Sequence, residues 1–268
     1  MSLAEAGLRQ GGCFVRALPL DASCASAARS FFREAVAGAG LPADLVHDGV
    51  TMASELAANT LNAHGNVEFA GGGRRPVNGM PELWLYARDC GPGREIVCKV
   101  FDSDPGWTRA EPGTRLTLTD PVDPDSVSGR GLQVVAGLSA GCWGHHPTRS
   151  RLGAWKVPGK AVWFTLRVPP ASELARYRGP ALRPWQAADE LASLLGARGL
   201  RGLVRSATPS GDMAVLSVRH QLTVWCRGAA VWWRGPAGGD TRLAITDLVE
   251  ASEQIVCLNE QLGEASGR

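Results

Sequence analysis

The chain has 268 residues, and its apolar fraction of 44% is enough for the packed core of one large domain or two small ones. Its mean hydropathy is -0.07 and no apolar run is long enough for a membrane-spanning helix. Lys and Arg number 28 against 26 Asp and Glu, a near-neutral balance unlike that of a nucleic-acid-binding protein. Residues 1–5 contain neither a basic nor an apolar stretch, so no secretory signal is expected.

The cysteines favour free thiols over a disulfide framework or a zinc site. They number seven, no two form a C-x-x-C pair, and several lie in apolar stretches such as residues 96–100. Buried free thiols are typical of a reducing compartment, so we expect a cytoplasmic protein.

Hydrophobic periodicity predicts the elements of the first part of the chain. Apolar residues recur at helical spacing from 45 to 61, which predicts a long helix. Residues 82–88 and 95–101 are β-prone runs joined by Cys90-Gly-Pro-Gly93, which predicts a hairpin. Residues 102–128 hold four prolines and few apolar side chains, so a long irregular loop is expected there. The predicted helices cover 25–37, 42–64 and 132–139, and the predicted strands cover 13–20, 82–88, 95–101, 142–146, 154–157 and 161–168.

Pro169-Pro170 predicts a boundary between two domains. The elements predicted beyond it are a helix over 184–198, strands over 213–218, 222–226 and 230–233, and a helix over 247–262. We therefore expect an α+β chain with domains over residues 13–168 and 175–268, the second being a small α-β-β-β-α unit.

The first candidate site lies on the long helix, where Glu55 and Asn59 are four residues apart and therefore share a face. A carboxylate can accept a proton or hold a water molecule. An Asn carbonyl oxygen is a hard ligand that suits Mg²⁺. By itself, this spacing is more typical of a solvated helix face.

Two further motifs have chemistry of their own. Asp102 ends an apolar strand at a Pro/Gly turn, where a carboxylate can accept a hydrogen bond from an exocyclic amine such as that of adenine. Gly129-Arg130-Gly131 opens a helix that continues from Leu132. Glycines at a helix start let backbone N–H groups approach phosphates, and an arginine adds a charged fork. Each alone is equally typical of an ordinary turn or tight loop.

In their order along the chain, these motifs resemble the GHKL (histidine-kinase-like, Bergerat-fold) ATPases. The shared order is a helix with E-L-x-x-N, a strand ending in Asp, a long loop, and G-R-G-L opening a helix. The sequence looks most like the actinobacterial anti-sigma-factor type with serine-protein-kinase activity, and Gly159-Lys-Ala-Val-Trp-Phe164 is similar too. The resemblance covers about residues 13–168. It implies a mixed, mostly antiparallel sheet with helices on one face.

The resemblance also implies roles for individual residues, with ATP and Mg²⁺ as cofactors. Glu55 would be the general base and Asn59 would bind the Mg²⁺ that bridges the phosphates. Asp102 would accept from the adenine amine, and Gly106 would shape the adenine wall. Residues 107–128 would be a lid, whose end would close on the phosphates through Gly129, Arg130, Gly131 and Leu132. Phosphoryl transfer depends mainly on positioning and charge stabilisation, so this small set suffices chemically.

The implied partner is a protein, either a sigma factor or an anti-sigma antagonist, with no direct contact to nucleic acid or membrane. Homodimers are common in the family. Ala63 stands where the family commonly has a basic or His residue, and Ala161 where it often has Thr. Whether the protein is a serine kinase therefore stays open. The alternatives are a non-catalytic nucleotide-sensing scaffold and an interaction protein with a degenerate ATP site that works through residues 175–268.

The sequence also contains a group of three tryptophans and a pair of adjacent histidines, each of which could be functional or structural. Trp225, Trp232 and Trp233 could form a stacking platform for nucleic acid, but packing in a core or interface is the favoured interpretation. His145 and His146 are adjacent on a predicted strand, so they would point to opposite faces and not share a metal.

Overall fold

A computed structural model describes residues 8, 11–65, 79–103, 130–177, 179, 182–235 and 238–266. These residues form two five-stranded antiparallel sheets and six helices, which confirms the predicted α+β class. In chain order the elements are β1 (Phe14–Ala17), α1 (Cys24–Val36), α2 (Ala43–Gly65), β2 (Glu82–Cys90), β3 (Gly93–Asp102), α3 (Arg130–Leu138), β4 (Trp143–Arg149), β5 (Pro158–Val168), α4 (Glu173–Arg176), α5 (Pro184–Ala197), β6 (Val204–Ala207), β7 (Met213–Arg219), β8 (Leu222–Arg227), β9 (Ala230–Arg234), β10 (Asp240–Ala244) and α6 (Leu248–Ser266).

The first sheet has the strand order β1-β2-β3-β5-β4, and every pairing in its described part is antiparallel rather than mixed. Residues 82–87 of β2 and 94–102 of β3 are buried without alternation. Both faces of this sheet are therefore covered along these two strands. Helices α1, α2 and α3 share an apolar core with one face.

Helix α2 packs closely on this sheet because a glycine faces it. A Cβ atom at Gly49 would lie 2.2 Å from Cζ of Phe32 and 2.9 Å from Cδ1 of Leu166. The absence of a side chain at this position lets α2 approach α1 and β5 at the same point.

The second sheet runs in simple order, β10-β9-β8-β7-β6, and packs one face on α5 and α6. The pattern along β7 alternates between buried and half-buried residues, as expected for a sheet with one covered face. Its core is separate from that of the first sheet. The division into domains over 13–168 and 175–268 stays a prediction.

Helix α6 lies between the two sheets. Its apolar residues, among them Leu248, Ala251 and Ile255, belong to the core of the second sheet. Its acidic residues Glu250 and Glu253 instead contact side chains of the first sheet. Helix α6 therefore packs on both sheets: an apolar stripe faces the second sheet, whereas Glu250, Glu253 and the apolar Val249 face the first.

Three predicted details of the strands were wrong. Residues 154–157 form no strand: 154 and 155 lie in a bend, and Lys156 donates from Nζ to the carbonyl oxygens of Arg151 and Gly153, which holds the segment folded back on itself. The C-terminal unit has five strands rather than three, since β6 and β10 were missed. Both are short edge strands without an apolar alternation, so the sequence pattern carries little signal for them; β6 is exposed throughout, and β10 is exposed to half-buried.

The described cysteines form no disulfide with one another, but not all are buried. Cys142 is exposed, and Cys90 and Cys257 are half-buried. No helix in the described ranges is long and apolar enough to cross a membrane.

Candidate functional site

Helix α2 places Glu55 and Asn59 one turn apart, on the edge of its buried face. Their neighbours Leu56 and Ala57 are fully buried in the core beneath the helix. Glu55 and Asn59 themselves are half-buried. Both side chains therefore lie at the boundary between the core and the surface, where a ligand can reach them.

The start of α3 packs directly against these two side chains. A Cβ atom built on Gly131 would lie 2.6 Å from Oε2 of Glu55, and 3.3 and 3.4 Å from Nδ2 and Oδ1 of Asn59. Any side chain at position 131 would displace the Glu55 carboxylate. The structure thus brings together the first and third sequence motifs, although about 70 residues separate them.

At this junction between α2 and α3, a side-chain donor and several backbone donors are free to bind a ligand. Nδ2 of Asn59 is buried and has no hydrogen-bond partner among the described residues. The first-turn N–H groups of α3 have no acceptor inside their own helix. Because an unsatisfied buried amide is costly, these donors suit an anionic ligand such as a phosphate.

Asp102 ends β3 on the side of the sheet that faces α2. It shares this side with Val100, two residues earlier, which belongs to the core under the helices. Its carboxylate is buried, 2% exposed, and its Oδ2 lies 3.3 Å from Nζ of Lys160 on β5. Gly159 is held close to the same strand end, since a Cβ there would lie 2.3 Å from the carbonyl oxygen of Asp102.

Lys160 is a site residue that the sequence motifs did not reveal. It pairs across the sheet with Asp102, whereas Ala161 pairs with Phe101 and points to the opposite side, toward α6. A threonine at 161 would therefore not face Asp102 in this register. Lysine is rare in this chain, and Lys160 lies in the Gly159–Phe164 segment that carries part of the family resemblance, but the resemblance implies no role for it.

The remaining predicted site residues are placed only in part. Gly106 and Gly129, with the predicted lid, lie outside the described residues. Arg130 is the first residue of α3. The side chain of Leu132 is buried in the core, so any contact of this residue with a nucleotide would use its backbone.

The two histidines of β4 point to opposite sides, as predicted. Nε2 of His146 lies 3.0 Å from Nζ of Lys99, on the side of α6. Burial, together with the charge of Lys99, lowers the pKa of His146 to about 3. His145 lies near Lys160, and burial followed by that positive charge lowers its pKa as well.

The residues present fit a nucleotide accompanied by a divalent ion. Asn59 offers one buried amide donor and one oxygen, and Glu55 offers a carboxylate beside it. Within the described ranges, no three His, Cys, Asp or Glu side chains come together as a metal site. Mg²⁺ bound with a nucleotide usually takes only one or two protein ligands besides phosphate and water.

Searches of protein-family models and of curated proteins find no match to this chain.

Proposed function

We propose that the chain is an ATP-binding regulatory protein of the GHKL type that acts through a protein partner, a sigma factor or an anti-sigma antagonist. The observation that carries this proposal is the contact of Gly131 with Glu55 and Asn59. This contact joins the E-L-x-x-N helix to the start of the G-R-G-L helix, and the N–H groups at a helix start favour a phosphate.

Each side chain has a distinct role in this proposal. The Asn59 oxygen binds the Mg²⁺ and its Nδ2 donates to a phosphate oxygen, together with the N–H groups at the start of α3. Asp102 accepts from the adenine amine. Its carboxylate has enough lone pairs to accept from that amine and from Lys160 at the same time.

Glu55 is the residue that would make the protein a kinase. ATP supplies the phosphoryl group when it is bound. The Glu55 carboxylate accepts the proton of a partner's serine hydroxyl while that oxygen attacks the terminal phosphorus, and ADP leaves. Its position one turn before Asn59 keeps the base beside the residue that holds the phosphates.

Calorimetry with ATP and ADP in the presence of Mg²⁺ tests nucleotide binding. We expect micromolar affinity for the wild type, which corresponds to about -8 kcal/mol, and a loss of at least about tenfold for Asn59→Ala and Asp102→Asn. Asn259→Ala, which removes a half-buried amide from α6, is the matched control and should bind like the wild type. A wild type that binds no nucleotide contradicts the proposal.

Transfer of label from ATP to a candidate partner separates a kinase from a nucleotide sensor. Glu55→Gln should keep nucleotide binding and abolish transfer. If this variant binds nucleotide and regulates its partner normally, the protein is a non-catalytic sensor and the kinase part of the proposal is wrong.

A further inference from the structure

Asp102 and Lys160 place a hydrogen-bond acceptor and a hydrogen-bond donor side by side at one end of the first sheet. They are cross-strand partners on β3 and β5, and Oδ2 of Asp102 lies 3.3 Å from Nζ of Lys160. An ammonium group has three N–H donors and a carboxylate has several lone pairs, so this one contact exhausts neither group. The pair can therefore bind a ligand that offers one donor next to one acceptor.

The backbone fixes where these two groups lie. The register between β3 and β5 runs without interruption from Arg94 and Val168 to Asp102 and Lys160. At this end the strands approach closely, because a Cβ at Gly159 would lie 2.3 Å from the carbonyl oxygen of Asp102. Lys160 is thus held on the same side of the sheet as Asp102, which is the side that faces α2.

The charges around the pair favour an uncharged ligand group. Asp102 and Lys160 compensate each other's charge. His145 of β4 lies near Lys160, and burial followed by the positive charge of that lysine lowers the pKa of His145, so its imidazole is uncharged at neutral pH. This end of the sheet therefore suits the edge of a nucleobase rather than a phosphate.

Adenine presents the complementary pattern on the edge of its six-membered ring. Its exocyclic N6 amine is a donor, and the neighbouring ring nitrogen N1 is an acceptor. With the amine on Asp102, N1 falls beside the ammonium group of Lys160. Guanine has the reverse order, since its O6 would face the carboxylate and its N1–H would face the ammonium group. Both contacts of guanine would be repulsive.

We propose that Lys160 selects adenine at this site by donating to N1 while Asp102 accepts from the N6 amine. This inference rests on the proposed binding of ATP and adds a contact to the base that the sequence motifs do not imply. Asn59 and the start of α3 hold the phosphates at the other end of the nucleotide, which fixes the edge that the base presents. A guanine nucleotide is rejected because it would leave both groups of the pair buried against mismatched atoms.

Calorimetry of the full chain with Mg²⁺ and three nucleotides tests this inference: ATP, GTP, and 1-deaza-ATP, which has a C–H group in place of N1. We expect 1-deaza-ATP to bind about tenfold more weakly than ATP, as the loss of a hydrogen bond to a charged donor predicts. GTP should bind at least about 100-fold more weakly than ATP.

Lys160→Met should abolish the difference between ATP and 1-deaza-ATP. Purine riboside triphosphate, which lacks the N6 amine, should still bind this variant more weakly than ATP does, because Asp102 is unchanged. Arg167→Met is the matched control, since it removes an exposed cation from the same strand and should keep the wild-type preference.

A double variant keeps the test informative if Lys160→Met fails to fold, because that substitution leaves the buried Asp102 without its cation. Asp102→Ala combined with Lys160→Met removes both charges and should also bind ATP and 1-deaza-ATP alike. The inference alone is wrong if the wild type binds ATP but binds 1-deaza-ATP or GTP equally well, or if Lys160→Met still distinguishes ATP from 1-deaza-ATP. A wild type that binds none of these nucleotides overturns both this inference and the proposed function.

Discussion

Lys99 of β3 and Glu253 of α6 are 154 positions apart in the chain, yet Nζ of Lys99 lies 3.3 Å from Oε2 of Glu253. Glu253 also accepts from Arg151 at 2.7 Å and from Arg198 at the end of α5. Both guanidinium groups lie over the ring of Trp84. One carboxylate of α6 thus contacts Lys99 on β3 of the first sheet, Arg151 in the segment after β4, and Arg198 at the end of α5.

Removing this carboxylate should strongly destabilise the protein. Glu253→Gln keeps the shape of the side chain but leaves the buried Lys99 and Arg198 and the half-buried Arg151 without their shared counter-charge, which we expect to cost about 3–5 kcal/mol. Urea unfolding measures the loss. Glu34→Gln is the control, because Glu34 pairs with Arg16 at the surface and such pairs contribute about 0–1 kcal/mol. Equal effects of the two substitutions would contradict this role of Glu253.

Acid should weaken the same network. Burial raises the pKa of Glu253, but Arg198, Arg151 and Lys99 together bring it well below its ordinary value. A carboxyl group with a lowered folded-state pKa contributes stability above its unfolded pKa, and this contribution is lost as the pH falls through the folded-state pKa. We therefore expect the stability difference between wild type and Glu253→Gln to be largest near pH 7 and to shrink below about pH 4. A difference that stays constant down to pH 2 would refute the linkage.

His146 should make the stability of the fold depend on pH at higher pH values than Glu253 does. Its pKa of about 3 in the folded state is below the value of about 6.5 in an unfolded chain, so the unfolded state binds more protons between these values. Stability should fall as the pH drops below about 6.5, and His146→Gln should remove that part of the slope. Melting temperatures from pH 8 to 4 measure this effect. His220→Gln, at an exposed position, is the control and should follow the wild-type profile.

The junction between α2 and α3 gives a prediction on nucleotide affinity. Gly131→Ala places a methyl group 2.6 Å from Oε2 of Glu55 and should raise the dissociation constant for ATP by about tenfold. Gly137→Ala is its matched control in the same helix, because a Cβ there meets nothing within 4 Å. Gly137→Ala should be at least as stable as the wild type, since alanine favours helix formation, whereas Gly131→Ala must also displace the Glu55 carboxylate. Identical ATP affinities for the two variants would count against a phosphate site at the start of α3.

Close packing of α2 on the first sheet gives a prediction on stability alone. Gly49→Ala forces the ring of Phe32 or the side chain of Leu166 to move, because the new Cβ overlaps both. We expect a loss of about 1–3 kcal/mol in urea unfolding. Gly196→Ala in α5 meets nothing within 4 Å and should stabilise the protein by up to about 1 kcal/mol. The interpretation of Gly49 as a packing glycine fails if both variants shift the unfolding midpoint in the same direction.

The sequence predicted those parts of the candidate site that depend on local order. Glu55 and Asn59 share a helix face because four residues make about one turn, and Asp102 ends a strand, as expected from the proline and glycine that follow it closely in the sequence. Lys160 could not be recognised in this way. Its partnership with Asp102 depends on the register between β3 and β5, and a shift of one residue would place Ala161 there instead.

In the second half of the chain, too, the sequence predicts local order but not the contacts between distant segments, as α6 and the tryptophans show. The pattern predicted an apolar helix stripe, and the core of the second sheet confirms it. That the polar stripe of α6 is also buried, with Glu250 and Glu253 against the first sheet, follows from the packing of distant segments. Likewise, the sequence does not reveal which of Trp225, Trp232 and Trp233 faces the core.

The sequence by itself determined the α+β class, the five longer helices, the interior strands β2 and β3, and the positions of Glu55, Asn59 and Asp102 on them, whereas the short helix α4 was not predicted. These features depend on residue spacing within one helix or strand, where the backbone geometry of a single element sets which side chains share a face. The tertiary structure alone decided the contact of Gly131 with Glu55, the Lys160–Asp102 pair and the charged attachment of α6. Each of these joins segments that are far apart in the chain, and only the packing of the sheets and helices brings such segments within a few ångströms.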